Sequence, residues 1–303
     1  MKAYKTREEP KQLQILELLD VRMELPEDKK RYYLSLKKGY EGESMFDQQI
    51  EEKLHNNCYV LNDLLLQFNN TTFQIDTVLI FGNMLRPFEV KNYEGDYYYE
   101  NDKIYSSSGR EIGNPLNQLA KTESLFRNLI HSHGFSLPMS ANVVFINPEF
   151  SLYQAPLNKP FIFHSQLNRF FNQLNEQPSK LTDMHKQLAN KLASLHLNES
   201  PFQQLPTYRY DMLKKGIICA TCRSFALVFV GRNCVCKECG HVENARAAIL
   251  RSIWEYKLLF PDRKVTTVNI HDWCQIIDSK KRIKRVLDEH FEIVGVRQWA
   301  YYV

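Results

Sequence analysis

Two strand-like segments separated by Gly82 and Asn83 constrain the fold of this chain more than any other feature. The first segment covers residues 73–81 and the second covers residues 84–92. A Gly-Asn pair between two apolar runs is a hairpin signal, because both central positions of the favoured tight turn need backbone angles that Gly and Asn tolerate. The sequence therefore predicts an antiparallel hairpin with a two-residue loop.

This register brings acidic side chains together. Cross-strand partners sum to 165 in residue number, so Asp76 is predicted opposite Glu89 and Gln74 opposite Lys91. Because strand side chains alternate between faces, these residues share one face. The other face is predicted to carry Ile75, Thr77, Phe88 and Val90. Facing carboxylates repel unless a cation lies between them, and Mg²⁺ favours one or two carboxylates and keeps several waters. The alternative is a solvated outer face on which the acids pair with lysines.

Four short motifs surround and include this hairpin, between about residues 40 and 120. They are Glu41-Gly-Glu43, followed by a helical stretch over residues 46–54, then Gln74-Ile-Asp76, Glu89-Val-Lys-Asn-Tyr-Glu-Gly95 and Asn114-Pro-Leu-Asn-Gln118. In this order they resemble the nuclease-related domain, NERD, a branch of the PD-(D/E)xK nuclease superfamily. Ile75 stands where the superfamily name has Pro, a form that is usual in this branch. The resemblance implies an α/β fold, a restriction-endonuclease-like core with a mixed sheet flanked by helices.

The resemblance also implies a metal site. Asp76 and Glu89 would bind Mg²⁺ or Mn²⁺, with the Val90 carbonyl as a further ligand. Lys91 would orient or help deprotonate the attacking water and offset negative charge on the phosphate. Metal and lysine together supply the nucleophile and the charge clamp that phosphodiester hydrolysis requires.

Two further residues match the family's site. Glu43 would complete it from a helix, and Gln118 would contact metal-bound water or substrate. Each has a simpler interpretation. Glu43 could be an acid that interacts with the dipole at a helix N-terminus, and Gln118, just past Pro115, could be a solvated residue at a helix start.

Two Cys-x-x-Cys pairs predict a separate metal centre. They are Cys219 with Cys222 and Cys236 with Cys239. Four thiolates at this spacing suit a tetrahedral structural zinc, and the apolar run between the pairs indicates the strand of a zinc ribbon. Cys234, close to the second pair, could compete as a ligand, or it could be a small apolar residue like Cys58 and Cys274.

The start of the chain and its hydropathy suggest where the protein works. Residues 1–9 are too charged for an export segment, and no apolar run approaches the length needed to span a bilayer. We therefore expect a cytoplasmic protein without a membrane partner, in a reducing compartment where paired cysteines usually bind metal.

The C-terminal residues predict a winged helix-turn-helix. Helical spacing is found over residues 242–259, 271–277 and 280–289, and residues 291–302 alternate like a strand pair about Gly295. In this motif the third helix enters the DNA major groove. The predicted third helix exposes the basic side chains of Lys280, Lys281, Arg282, Lys284 and Arg285. An ordinary solvated helix face is the alternative.

The charge distribution favours nucleic acid as the partner of the C-terminal part. Residues 201–303 contain 17 Lys and Arg against 10 Asp and Glu, whereas residues 1–200 contain 22 against 25. Such asymmetry is expected when a separate basic module supplies affinity for nucleic acid.

Together these patterns predict a modular chain. Its parts are an N-terminal helical segment over 1–40, which we expect to pack on the nuclease core, a NERD nuclease-like domain over 41–160, a helical linker over 161–215, a zinc ribbon over 216–241 and a winged-helix-like DNA-binding module over 242–303. The function predicted is a magnesium-dependent nuclease acting on DNA, with cleavage inside the strand favoured and with exonuclease action and RNA left open. The alternative is a DNA-binding or regulatory protein whose nuclease-like core only grips phosphate. The sequence does not define the oligomeric state.

Overall fold

The computed structural model describes residues 2–199, 204–277, 279–296 and 299–303. These residues form two compact units, one from residues 2–10 and 34–199 and the other from residues 11–33 and 204–303. Residues 200–203 of the predicted linker and residues 297 and 298 of the predicted strand pair lie outside the described residues. No helix in the described ranges combines the length and the apolar character that crossing a bilayer requires.

The helices and strands are numbered in chain order. They are α1 Lys11–Arg22, α2 Glu27–Lys53, β1 Tyr59–Phe68, β2 Thr71–Ile80, β3 Leu85–Lys91, β4 Gly95–Glu100, β5 Lys103–Ser106, β6 Glu111–Ile112, α3 Pro115–Ser132, β7 Asn142–Phe145, β8 Phe150–Tyr153, β9 Phe161–Phe163, α4 Leu167–Glu176, α5 Asp183–Leu195, β10 Leu227–Val230, β11 Asn233–Cys236, β12 Val242–Asn244, α6 Ala245–Leu259, α7 Thr267–Cys274, α8 Lys280–His290, β13 Ile293–Val294 and β14 Tyr301–Tyr302.

A five-stranded mixed sheet organises the first unit, in the order β1-β2-β3-β7-β9. The first three strands are antiparallel, and β7 and β9 run parallel to β3. Apolar residues of α2 and α4 form a buried cluster with one set of strand residues, and those of α3 and α5 do so with another. Burying apolar side chains of a sheet against helices is the main stabilising contribution in such a fold. The predicted fold class, a mixed sheet flanked by helices, is confirmed.

The predicted linker over 161–215 contains helices that belong to this unit. Leu167 and Phe171 of α4 lie in the cluster with α2, and Leu188 and Leu192 of α5 lie in the cluster with α3. All four are nearly inaccessible to solvent. The first unit therefore extends well past residue 160, because both helices bury an apolar face in its core.

The hairpin between β2 and β3 has the predicted register but a different turn. Ile80 pairs with Leu85 and Thr77 pairs with Phe88, so partners sum to 165 as expected. Neither Gly82 nor Asn83 has a positive φ, so conformational freedom is not what requires glycine here. A Cβ atom on Gly82 would lie 2.5 Å from the carbonyl oxygen of Lys180, and the Gly82 N–H donates to Ser179 Oγ at 3.1 Å. Close approach of another backbone segment explains the glycine.

The second unit contains an N-terminal helix, a small sheet and three further helices. Strands β10, β11 and β12 form an antiparallel sheet, and α6, α7 and α8 precede the short hairpin β13–β14. Ile15, Leu18 and Leu19 of α1 join the core of this unit. The predicted N-terminal segment over 1–40 is therefore divided between the two units, and α1 belongs to the second.

The helix α7 begins four residues before its predicted start at His271. The Thr266 side chain accepts a hydrogen bond from the Asn269 N–H at 3.1 Å, which caps the helix at its N-terminus. Val265 forms an isolated antiparallel bridge with Tyr302. Three helices followed by a hairpin are present, as the winged-helix prediction expected.

Candidate active site and metal centre

Asp76 lies where the ladder between β2 and β3 ends. The last paired residues are Thr77 and Phe88, and one step beyond them Asp76 Oδ2 accepts a hydrogen bond from the Val90 N–H at 2.7 Å. The Asp76 carboxylate thus accepts the hydrogen bond that a backbone carbonyl would accept in a continuing ladder. This bond fixes the carboxylate at the point where β2 and β3 separate. Its residue exposure is only 6 %.

The ladder between β1 and β2 is interrupted at the same point. Asn62 pairs with Thr77 and Leu64 pairs with Ile75, while Asp63, which has a φ of 52°, separates the two pairs. The irregularity changes which way the neighbouring side chains point. Ile75 therefore packs in the α3–α5 cluster, whereas Phe88 and Val90 pack in the α2–α4 cluster, so the predicted common face of these residues is wrong for Ile75.

Glu89, Lys91 and Gln118 form a connected polar group. Lys91 Nζ donates to Glu89 Oε1 at 2.6 Å and to Gln118 Oε1 at 3.2 Å. Gln118 reaches this position from the first turn of α3, where Pro115 is the first helical residue and Asn114 caps the N-terminus through the Leu116 N–H. In the motif Asn-Pro-x-x-Gln, the asparagine and proline thus start the helix, and the glutamine contacts Lys91.

Glu43 does not stand alone but shares a cation with Asp47. Arg7 Nη1 donates to Glu43 Oε2 at 2.5 Å, and Arg7 Nε donates to Asp47 Oδ2 at 2.8 Å. Arg7 Nη2 also donates to the backbone carbonyl of Asp76 at 2.7 Å. Sequence reasoning missed Arg7, because a single arginine in a charged N-terminal stretch carries no motif.

Burial and mutual repulsion raise the pKa values of the three acids. The pKa of Glu89 is raised to about 7 by burial and by the charge of Asp76, although Lys91 acts to lower it. The pKa of Glu43 is raised to about 8 by burial and by Asp76, against the opposing effect of Arg7. Burial also raises the pKa of Asp76, despite the Val90 N–H that favours its charged form. These are the surroundings in which a carboxylate gains from a bound cation.

The donor set fits a divalent ion. The carboxylates of Glu43, Asp47 and Glu89 are hydrogen-bonded to two cationic side chains, those of Arg7 and Lys91, while the Asp76 carboxylate accepts from a backbone N–H. Asp76 and Glu89 each lie directly beyond the last ladder pair, Thr77 and Phe88, and both are nearly buried. A pair of carboxylates is what Mg²⁺ uses in sites that also hold phosphate. Asp76 and Glu89 are therefore the two carboxylates here that could hold such an ion.

The raised pKa values predict a pH-dependent stability. A carboxyl group whose pKa is higher in the folded state than in the unfolded state favours folding when protonated, and this contribution is lost as the pH rises through the folded pKa. For Glu89, with a pKa raised from 4.5 to about 7, the loss corresponds to about 3 kcal/mol of unfolding free energy. Without added Mg²⁺, we expect the protein to lose stability between about pH 5 and about pH 8.

Thermal unfolding of wild type and Glu89→Gln across this pH range measures the effect. The stability of the variant should depend less steeply on pH than that of wild type. Added Mg²⁺ should restore the stability that the wild-type protein loses near the upper end of this pH range. If stability changed with pH equally steeply in the two proteins, Glu89 would not be the group responsible for the pH dependence.

Gly42 in the first motif allows Asn92 of the third motif to reach the helix. A Cβ atom on Gly42 would lie 2.4 Å from Asn92 Cβ. Asn92 Nδ2 donates to the Lys38 carbonyl at 2.8 Å, and Asn147 Nδ2 donates to Asn92 Oδ1 at 3.1 Å. The glycine therefore lets α2 lie against the end of β3, close to the acids.

We expect Gly42→Ala to lower the unfolding free energy by about 1–3 kcal/mol through overpacking. Gly39, one turn earlier on the same helix, is the matched control, because a Cβ atom there would meet no neighbouring atom within 4 Å. Because Ala favours a helix over Gly by about 1 kcal/mol, Gly39→Ala should be neutral or stabilising. Denaturant unfolding of both variants tests the difference, and equal effects would argue against the close approach.

The four predicted cysteines meet in the second unit. Cys222 Sγ lies 3.5 Å from Cys236 Sγ, and Cys219 Sγ lies 3.7 Å from Cys239 Sγ. All four sulfur atoms are within 4.8 Å of one another. Within the part of the chain that the structure describes, this is the one group of three or more His, Cys, Asp or Glu ligands gathered so tightly. Glu43, Asp76 and Glu89 are spaced more widely.

The two cysteine pairs have matching backbone geometry. The N–H of Arg223 donates to the Cys219 carbonyl at 3.1 Å, and the N–H of Gly240 donates to the Cys236 carbonyl at 3.0 Å. Both donors have a positive φ, 62° and 74°. Burial acts to raise the pKa of Cys219, but hydrogen bonds from the backbone of Cys222 and Thr221 lower it to about 6, which favours a thiolate. The arrangement fits a zinc ribbon.

Cys234 is not a member of this sulfur cluster. It pairs with Phe229 in the β10–β11 ladder and lies buried in the apolar core of the second unit. Of the two roles that the sequence left open for Cys234, the structure favours the small apolar residue.

The helix α8 has the predicted amphipathic character. Ile283, Val286 and Leu287 are buried. The exposed basic residues are Lys280, Lys281, Lys284 and Arg285. Arg282 donates to the Gly231 carbonyl at 3.3 Å and lies over the Phe229 ring. Arg282 is thus engaged within the unit, and Lys284 is also engaged, because its Nζ donates to Asp288 Oδ2 at 2.8 Å.

Comparisons with known proteins bear on the first unit. Residues 38–146 match the family model described as NERD, nuclease-related domain. No curated protein matches the chain. A similar solved structure is that of protein VC1899 from Vibrio cholerae, at 14 % identity and a TM-score of 0.23, covering 57 % of this chain. The matched region spans 37 % of that protein.

Proposed function

We propose that this chain is a metal-dependent nuclease that hydrolyses phosphodiester bonds in DNA, since residues 38–146 match the family model of the nuclease-related domain. The observation that carries the proposal is the grouping of Asp76, Glu89 and Lys91 at the point where β2 and β3 diverge. Two nearly buried carboxylates lie there, each one residue beyond the last ladder pair, and an ammonium group lies 2.6 Å from that of Glu89. These are the groups that a metal-assisted phosphodiester hydrolase requires.

Lys91 acts as a positive charge in this mechanism. Burial alone would lower the pKa of Lys91, but the carboxylate of Glu89 outweighs it and the net pKa is raised. The ammonium form can stabilise negative charge that develops on the phosphate and can orient a water molecule by donating to it. Gln118, which accepts from Lys91, holds the ammonium in place.

Asp76 and Glu89 would hold the divalent ion. When bound, Mg²⁺ supplies a water of lowered pKa and neutralises phosphate charge. Asp76 is suited to this task because Val90 fixes one of its carboxylate oxygens and leaves the other for a ligand.

The second unit would supply affinity for DNA. Its exposed lysines and arginine on α8 lie on the helix that a winged helix-turn-helix inserts into the major groove. Phosphate contacts of this kind should make binding strongly dependent on salt. A non-catalytic protein that only binds DNA is the competing proposal, and the buried, mutually repelling acids argue against it, because binding alone does not require them.

The test is incubation of purified protein with plasmid, linear and single-stranded DNA and with RNA. Reactions contain Mg²⁺ or Mn²⁺, or EDTA, and run beside Lys91→Ala as the inactive control. Metal-dependent cleavage by wild type that Lys91→Ala loses would support the proposal, and the substrate panel would identify the preferred nucleic acid and the mode of cutting. Cleavage that persists in EDTA and in the variant would indicate a contaminant. Binding without cleavage under all metal conditions would favour the non-catalytic alternative.

A further inference from the structure

The N-terminal segment of the first unit reaches into the acid cluster from outside the matched family domain. Its backbone is fixed along β1, where the N–H groups of Tyr4 and Lys5 donate to the Val60 carbonyl and the Lys5 carbonyl accepts from the Asn62 N–H at 2.9 Å. Lys5 Nζ also donates to the carbonyls of Asn62 and Asp63, each at 2.8 Å. These bonds fix the backbone at Lys5, two residues before Arg7, and so place Arg7 next to the acids.

Arg7 is placed as a fixed cation among the acids. Its guanidinium binds Glu43, Asp47 and the Asp76 carbonyl through four hydrogen bonds of 2.5 to 3.2 Å. The Arg7 side chain is only 4 % exposed. A planar guanidinium that grips one carboxylate with two donors and a second carboxylate with a third cannot be displaced by a small movement, because several bonds would break together.

The acids are consequently divided between two kinds of partner. Glu43 and Asp47 share the single positive charge of Arg7, and Glu89 is next to Lys91. Glu43, Asp76 and Glu89 do not come within the ligand spacing that the four cysteines have. A carboxylate paired with a guanidinium that four hydrogen bonds hold in place is a poor ligand for a second cation, because the two charges would repel and the guanidinium cannot move aside. Lys91 bonds to Glu89 through Oε1 alone and its side chain is 20 % exposed, so the ammonium can shift toward solvent when an ion binds to Glu89.

We propose that Arg7 is a positioning residue of this site, occupying the place of a second cation and limiting the acid cluster to one divalent ion held by Asp76 and Glu89. This proposal rests on the proposed function only for the use of the bound ion, since what it predicts is the number of ions that bind. Glu43 then acts through Arg7 and is not a metal ligand, which differs from the role that the family resemblance implied for it.

Mn²⁺ binding to the full chain with its cysteine site loaded with zinc tests this proposal. Calorimetric titration and electron paramagnetic resonance, without nucleic acid, give the number of bound ions and their affinity. We expect one ion for wild type. Glu89→Gln should weaken binding by at least about tenfold, whereas Glu43→Gln should leave the affinity unchanged.

Removing the guanidinium should open a second site. We expect Arg7→Met to bind a second Mn²⁺ ion, Arg7→Lys to bind one, and the double variant Arg7→Met with Glu43→Gln to return to one. Stoichiometry distinguishes this role from a merely structural one, because lost packing alone would not add an ion. If Arg7→Met does not fold, as judged by circular dichroism, the comparison of Glu43→Gln with Glu89→Gln still decides.

Equal losses of Mn²⁺ affinity in Glu43→Gln and Glu89→Gln would overturn the proposal. So would a wild-type protein that binds two Mn²⁺ ions or none, and so would a folded Arg7→Met protein that binds only one. The proposed function fails on a different observation. A protein that binds one ion as described and still cleaves no nucleic acid would refute the nuclease while supporting the role of Arg7.

Discussion

The Asp76→Asn variant should lose metal-dependent cleavage and, without added Mg²⁺, should be more stable than wild type. An amide oxygen can still accept the Val90 N–H, so the contact at 2.7 Å that fixes the strand edge can persist. The anionic oxygen that would bind the metal is lost, and we expect cleavage to fall by about 10³-fold or more. Removing a buried negative charge that repels Glu43 and Glu89 should raise the unfolding free energy by about 1–3 kcal/mol.

Cleavage rates and thermal unfolding of the same preparations measure both effects. Asp76→Ala is the matched comparison, because it removes the acceptor as well as the charge. A buried N–H left without an acceptor costs about 1–3 kcal/mol, so Asp76→Ala should be less stable than Asp76→Asn. Wild-type cleavage by Asp76→Asn would place the metal site elsewhere, and equal stabilities of the two variants would show that the Val90 contact contributes nothing.

Removing metal from the cysteine cluster should unfold the zinc ribbon. Cys219 and Cys236 lie in the same buried core as the apolar residues of α1 and α6, while the strands β10 to β12 have only three or four residues each. Such short strands bury little apolar surface of their own. Structural zinc binding contributes an apparent free energy of about 10–16 kcal/mol in zinc-finger peptides, and we expect much of the ribbon's stability to come from this source.

The measurement combines zinc content with hydrogen exchange over residues 227–244. A Cys219→Ser, Cys236→Ser double variant should lose the metal and its exchange protection in these strands. Cys234→Ala, on the same strand as Cys236, should retain both, because Cys234 is a core residue. Unchanged metal content in the double variant would remove the zinc ribbon from the description of this protein.

The hairpin shows how far sequence alone could predict this site. Its register followed from the spacing of Gly82 and Asn83 between apolar runs, and the ladder from Ile80–Leu85 to Thr77–Phe88 has that register. The reason for the glycine was not predictable, because the backbone near Lys180 approaches from a segment about a hundred residues away. Alternation also failed at Ile75, where the irregularity at Asp63 changes the direction of the side chains.

Contacts between distant segments account for the other differences. Arg7 has no motif, and its role depends on how the N-terminal segment lies along β1. The helices α4 and α5 appeared polar enough for a linker, because only one narrow face of each is apolar. The apolar faces of α4 and α5 pack on strands that are distant in sequence, so the sequence alone does not show that these helices belong to the first unit. The cysteine cluster was predictable because its spacing is local and its chemistry is specific.

The contact between Asp76 and Val90 affects how relatives of this protein should be read. A relative that does not cleave nucleic acid would still need a short acceptor at this position to close the strand edge, so selection for folding alone would retain Asp or Asn. An aspartate in this motif is therefore weak proof of an active enzyme. Lys91 bonds to Glu89 and to Gln118, and none of these side chains caps a strand. Under the proposed function, Glu89 and Lys91 are therefore the better markers of a relative that cleaves nucleic acid.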